Sequence, residues 1–131
     1  MKRLAAALLL ACLATPAQAS MWINCSDAGG EASFDYLIGT VPALSIVALT
    51  VSVGELVWAS DVAYGPGEPI AVGQAFEDEQ MILIDALDPA MTERLASLRL
   101  FKAAEGDAPM VYAGTLHIPG HGAWAVSCAE G

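Results

Sequence analysis

Residues 45–62 read SIVALTVSVGELVWASDV. Val47, Leu49, Val51 and Val53 alternate with smaller or more polar neighbours. A period of two is the repeat of a strand with one buried face. Gly54-Glu55 then separates this run from a second one, Leu56 to Val62. Two such runs joined by two residues, one a glycine, predict a tight hairpin. No residue between Tyr36 and Gly54 is charged, which is long enough to raise a membrane helix. Gly39, Thr40, Pro42, Ser45, Thr50 and Ser52 interrupt the run, and the alternation fits a strand, so an integral membrane span is not expected.

The same rhythm extends in both directions. Turn signals recur at Gly29-Gly30, Gly39 to Pro42, Gly65-Pro66-Gly67, Gly106-Asp107 and Pro119-Gly120. Between them lie runs rich in β-branched and aromatic residues. Strands are predicted at 22–25, 32–38, 45–53, 56–62, 80–87, 98–103, 111–118 and 123–128. One segment reads differently. Asp88-Pro89 resembles a helix N-cap followed by proline at the first helical position. Met91, Leu95 and Leu98 then fall at i, i+4 and i+7, which predicts a short helix from Pro89 to about Ser97. The expected fold is all-β with that one helix: a small antiparallel barrel or sandwich of about seven or eight strands.

The chain begins with Lys2-Arg3, an uncharged Leu/Ala run to Leu13, Pro16, and the small-x-small pattern Ala17-Gln18-Ala19. That is the layout of a secretory signal peptide, 1–19, with one β-rich domain expected over 20–131. Its short, Ala-rich form looks bacterial, so the expected destination is the periplasm, with secretion as the alternative. Leu10-Ala11-Cys12 faintly resembles a lipoprotein cleavage site, but the apolar core before it is short and the later site fits better. Asn24-Cys25-Ser26 matches the glycosylation acceptor pattern; in a bacterial chain it is a chance match.

Without residues 1–19, Lys2 and Arg3 are lost and all fifteen acids stay, so the formal charge moves from −10 to −12. So acidic a surface repels nucleic acid and anionic lipid and favours a basic partner, if there is one. Cys25 and Cys128 remain. An even pair in an oxidising compartment predicts a disulfide closing almost the whole domain. Bridged cysteines need Cα atoms within about 7 Å, so the first and last strands should be neighbours or face each other.

The chemistry-bearing residues are few. His117 and His121 flank the Ile118-Pro119-Gly120 turn and could hold copper or zinc, although no third ligand lies near in sequence. Read plainly, they are two solvated turn histidines. Glu77-Asp78-Glu79 lacks the EF-hand spacing. It is a solvated acidic loop or a contact for a basic groove. Arg94, Arg99 and Lys102 could hold an anion, but are expected to pair with Glu93, Glu105 and Asp107, close in sequence. Trp22, Trp58 and Trp124 read as core or rim packing. No G-x-S-x-G, glycine-rich phosphate loop or basic-aromatic stripe is present, so neither catalytic residues nor a cofactor are assigned.

In size, compartment and a cysteine near each end, the chain is similar to small acidic periplasmic β-barrels that block basic lysozymes. That resemblance implies an inhibitor of a basic cell-wall hydrolase. The residues by themselves suggest, more broadly, a non-catalytic protein-binding module of the cell envelope. A metal-binding protein using His117 and His121, and a structural subunit of an envelope complex, are the alternatives.

Overall fold

Alternation along each run decides which side chains enter the core, and the strands follow from it. The computed structural model describes residues 20–131. The strands are β1 Met21–Ser26, β2 Ala32–Ile38, β3 Ile46–Val53, β4 Leu56–Ala59, β5 Glu68–Pro69, β6 Ala71–Glu77, β7 Met81–Leu87, β8 Arg94–Ala103, β9 Val111–Ile118 and β10 Gly122–Glu130. They form one sheet in the order β5-β4-β3-β2-β1-β10-β9-β8-β7-β6. All neighbours are antiparallel except the two-residue β5, which runs parallel to β4.

The sheet curls into a nearly closed barrel. Its two edge strands are consecutive in sequence, with Ile70 alone between them. Ile70 is buried in the core and its N–H donates to the Ala59 carbonyl at 3.2 Å. The chain thus crosses its own seam, and β6 comes back against β3. A two-residue edge carrying Pro69, and a register shift in β6 beside Gly73 and Gln74, leave little free edge for another chain.

The predicted hairpin is present. Gly54 takes a positive φ of 57°, which glycine adopts without strain, and Val53 pairs Leu56. Leu49, Val51 and Val53 point inward with Phe34, Tyr36, Ile84, Leu98, Leu100 and Leu116. Val47 does not. The β2–β3 register shifts between Leu37 and Ile38, which leaves Val47 53% exposed while Ile46 packs on the core.

Three expectations are corrected. The helix from Pro89 to Ser97 is absent. Arg94 to Ala103 is one long strand, because Ala96, Leu98 and Leu100 alternate inward, and burying that row outweighs the three residues at helical spacing. Asp88 does act as a cap, but of a hairpin loop. Its carboxylate accepts from the amides of Thr92 at 2.6 Å and Glu93 at 2.7 Å, and Met91 adopts a positive φ of 57°. Those amides lie four and five residues on, beyond the second and third residues that a helix N-cap reaches. Next, the strand after Gly54-Glu55 ends at Ala59, not Val62. Asp61 accepts from Ala63 N–H at 2.9 Å and starts a 3-10 turn over Val62–Tyr64. Finally, the described residues contain ten strands, not seven or eight. β5 and β6 were hidden by Gly67, Pro69 and Gly73, which read as loop.

The disulfide joins Cys25 to Cys128, which are direct cross-strand partners of β1 and β10. The terminal strands are therefore neighbours, as their cysteines require. Among the described residues no helix is long and apolar enough to cross a membrane. The expected signal segment lies outside the described residues.

Candidate functional site

The barrel has two unlike ends. At one, Trp58 and Trp124 pack against the core. His121, in the β9–β10 turn, lies edge-on to Trp58 with ring centroids 5.8 Å apart. Trp124 also covers Gly122, where a Cβ would run into its ring. Trp22 instead sits on the outer face, edge-on to Tyr64 at 5.5 Å. All three tryptophans are thus packing residues, on the barrel rim or its outer face.

The opposite end is open. Strand directions place Met21, the β2–β3 loop, the β6–β7 turn, the β8–β9 loop and the end of β10 together there. A cavity of about 120 Å³ opens between Tyr36, Tyr112, Met21, Ile38 and Ile82, with residues 39–44 across it and Glu77 at its edge. Tyr36 is 2% exposed, and its hydroxyl has no hydrogen-bond partner among the described residues.

Six carboxylates belong to this end: Glu77, Asp78, Glu79, Glu105, Asp107 and Glu130. Lys102 is the one cation among the described residues there, and its ammonium lies 3.7 Å from Glu77 with its side chain only 12% exposed. The field is legible in the phenols. Burial pushes Tyr36 well above its ordinary value, and the charges of Tyr112 and Glu77 push it further. Burial, then Glu77 and Glu130, raise Tyr112 as well. Asp78 is held by its own turn, accepting from Gln80 and Met81 amides at 2.8 and 2.7 Å, which lowers its pKa.

The remaining sequence candidates sit elsewhere. His117 projects from the outer face of β9, since Leu116 and Ile118 on either side are buried inward. His121 is at the tryptophan-packed end, so the two imidazoles serve different surfaces. Among the described residues no three His, Cys, Asp or Glu side chains gather where they could hold a metal.

The basic trio all lies on β8 but does not pair with Glu93, Glu105 or Asp107. Arg99 Nη1 donates to Asp85 Oδ1 at 2.8 Å and Arg94 Nε lies 3.6 Å from Asp85 Oδ2. The acid is on β7, and cross-strand register rather than sequence proximity selects it. Asp85, Ser97 and His117 form one cross-strand row over β7, β8 and β9. Here the serine separates acid from imidazole, whereas a nucleophile relay needs the imidazole between the other two. Ser97 Oγ is buried with no partner among the described residues.

Sequence reasoning flagged Glu77-Asp78-Glu79 and missed Tyr36, Tyr112, Glu105, Asp107 and Glu130 as companions. In an up-and-down meander every second turn falls at the same end, so the acidic turns at 77–79 and 105–107 belong together. The expected helix over 89–97 stood between the strands at 80–87 and 98–103 in place of a hairpin turn, so the meander was not read as continuous there. Comparison of the chain with protein-family models, with curated proteins and with solved structures finds no match.

Proposed function

We propose that the chain is an exported, non-catalytic binding module whose acidic barrel end docks a basic envelope protein, in the periplasm or outside the cell. One observation carries the reading. Carboxylates from three separate segments converge on one open end, and Lys102, the cation beside them, is already engaged by Glu77. A single-sign rim of this kind steers an oppositely charged partner and speeds encounter. The specific form is inhibition of a basic cell-wall hydrolase of the lysozyme class, in keeping with the resemblance in size, compartment and cysteine placement.

The test is a turbidity assay of a basic lysozyme with the purified residues 20–131, alongside direct binding at 50 and 300 mM salt. The protein is expected to slow lysis and to bind in a strongly salt-dependent way. The triple variant Glu79→Gln, Glu105→Gln, Asp107→Asn is expected to bind at least about tenfold more weakly, or about 1.4 kcal/mol. Unaltered lysis at equimolar protein removes the hydrolase form. A native envelope pulldown that brings down no basic protein removes the wider one. N-terminal sequencing of protein from the native host is expected to begin near Ser20.

A further inference from the structure

We propose that the cavity at the acidic barrel end receives one arginine side chain from the basic partner; this rests on the reading of that end as the docking face. Met21, Ile38 and Ile82 offer an apolar wall suited to a methylene stem. Tyr36 and Tyr112 bring aromatic rings to the same cavity, and Glu77 brings a carboxylate. Lys102 reaches that carboxylate at 3.7 Å, which leaves acceptor capacity, since a carboxylate can accept about four hydrogen bonds. Tyr36 supplies a second, independent observation at this cavity. It is 98% buried, it lines the cavity, and its hydroxyl has no partner among the described residues. The residue is buried but its hydroxyl is not sealed off, and the cavity it lines is where a hydrogen-bonding group can reach it.

The chemistry favours a guanidinium over an ammonium. A planar guanidinium stacks on a tyrosine ring and is more weakly hydrated, so it enters a half-closed site at lower desolvation cost. Its several donors can reach both Glu77 and the Tyr36 hydroxyl. An anion would meet Glu77 in the cavity and an acidic rim at this end, and a neutral apolar group would offer the phenol no hydrogen bond.

The probe is N-acetyl-arginine amide, titrated into the protein and followed by NMR shifts of the Met21 methyl and the Tyr36 and Tyr112 rings. Saturable binding is expected, with N-acetyl-norleucine amide at least about tenfold weaker. Glu77→Gln combined with Lys102→Met, which removes both charges together, is expected to weaken the arginine probe by a similar factor. Tyr36→Phe keeps the ring and is expected to weaken it by about threefold. Glu55→Gln, exposed on the β3–β4 turn at the opposite end, is expected to leave it unchanged. Equal binding of norleucine amide, or indifference to both cavity variants with native melting temperatures, overturns the proposal. Binding of the basic lysozyme separates the two claims. If it weakens in the Glu79/Glu105/Asp107 variant but not in the cavity variants, the docking face stands and the arginine socket falls. If it is indifferent to the rim charges too, the docking face itself falls.

Discussion

Cys25 and Cys128 stand opposite each other across β1 and β10, their Cα atoms 4.0 Å apart although 103 residues separate them in the chain. Every other pair of hydrogen-bonded neighbours among the described strands is consecutive in sequence, so this is the one ladder that joins strands far apart in the chain. A bridge over so long a loop restricts the unfolded chain strongly and is worth about 2–5 kcal/mol. The Cys25→Ser, Cys128→Ser variant is therefore expected to lose stability of that order in denaturant titration. In hydrogen exchange its β1 amides should lose protection before those of β7 and β8. An unchanged denaturation midpoint would contradict this.

Arg99 and Arg94 hold the same carboxylate but should differ in weight. Asp85 is 5% exposed, and Arg99 reaches it at 2.8 Å from a side chain itself 31% exposed. Arg94 is 3.6 Å away and 55% exposed. Removing the close partner of a buried carboxylate leaves that charge poorly compensated, at a cost of about 3 kcal/mol. Removing the exposed partner costs about 0–1 kcal/mol. Arg99→Met should thus lower stability clearly more than Arg94→Met. Equal effects in chemical denaturation would show that the pair is not desolvated.

The Asp88 loop gives a test of cap against charge. Its carboxylate accepts from the Thr92 and Glu93 amides and from the Thr92 hydroxyl at 2.8 Å. Asp88→Ala leaves those donors to water and frees a loop that must hold Met91 at positive φ. Its melting temperature should fall. Asp88→Asn keeps an acceptor oxygen and should lie between alanine and wild type. An alanine variant that melts like wild type would remove the cap from the account of this hairpin.

Gly114 marks the tightest approach between β8 and β9. A Cβ there would run into the Arg99 carbonyl oxygen, which is backbone and cannot swing aside. Gly114→Ala is expected to destabilise by about 1–3 kcal/mol or more, as overpacking does. Gly30, with nothing within 4 Å of an added Cβ, meets no such clash, only the strain of its φ of 70°. A tolerated Gly114→Ala in thermal melts would mean that β8 and β9 can separate there.

Acid stability should carry two opposed contributions. Hydrogen bonds from turn groups, led by the amides of Ala32, Gln80 and Glu93, hold Asp27, Asp78 and Asp88 below the ordinary 3.8. A depressed folded pKa stabilises above 3.8 and is lost as pH falls through the lower folded value. Asp35 goes the other way. Burial, beside Trp22 and Tyr64 on the outer face, raises it above 3.8, opposed only by the Cys25 backbone. Its charged form is therefore disfavoured in the fold, and stability recovers as pH falls toward 3.8. Asp35→Asn is expected to melt higher than wild type at pH 7, with the difference closing below pH 4. A variant that melts lower at pH 7 would refute the assignment.

Much of the fold was legible because strand alternation and turn glycines are local. β2 and β9 match their expected bounds, and β3, β7 and β10 differ by a few residues at their ends. The disulfide was legible because only Cys25 and Cys128 lie beyond the expected signal segment. The 89–97 segment was misread because helical and strand spacing coexist there, and only the barrel interior favours the row Ala96, Leu98, Leu100. β5 and β6 escaped because edge strands need little alternation when one neighbour supplies their hydrogen bonds. The mouth cavity escaped almost entirely, since Tyr36 and Tyr112 look like ordinary core tyrosines in their own strands.

The amino-acid order alone determined the β character, the acidic balance and the terminal cysteine link, because each depends on short-range periodicity or on simple counts. Which carboxylates share an end, which arginines hold Asp85, and that Trp58 and Trp124 pack at one mouth while Tyr36 and Tyr112 line the other were decided by strand register. Register is a long-range property: it is set where inward rows interlock across the barrel, and no window of neighbouring residues contains that information.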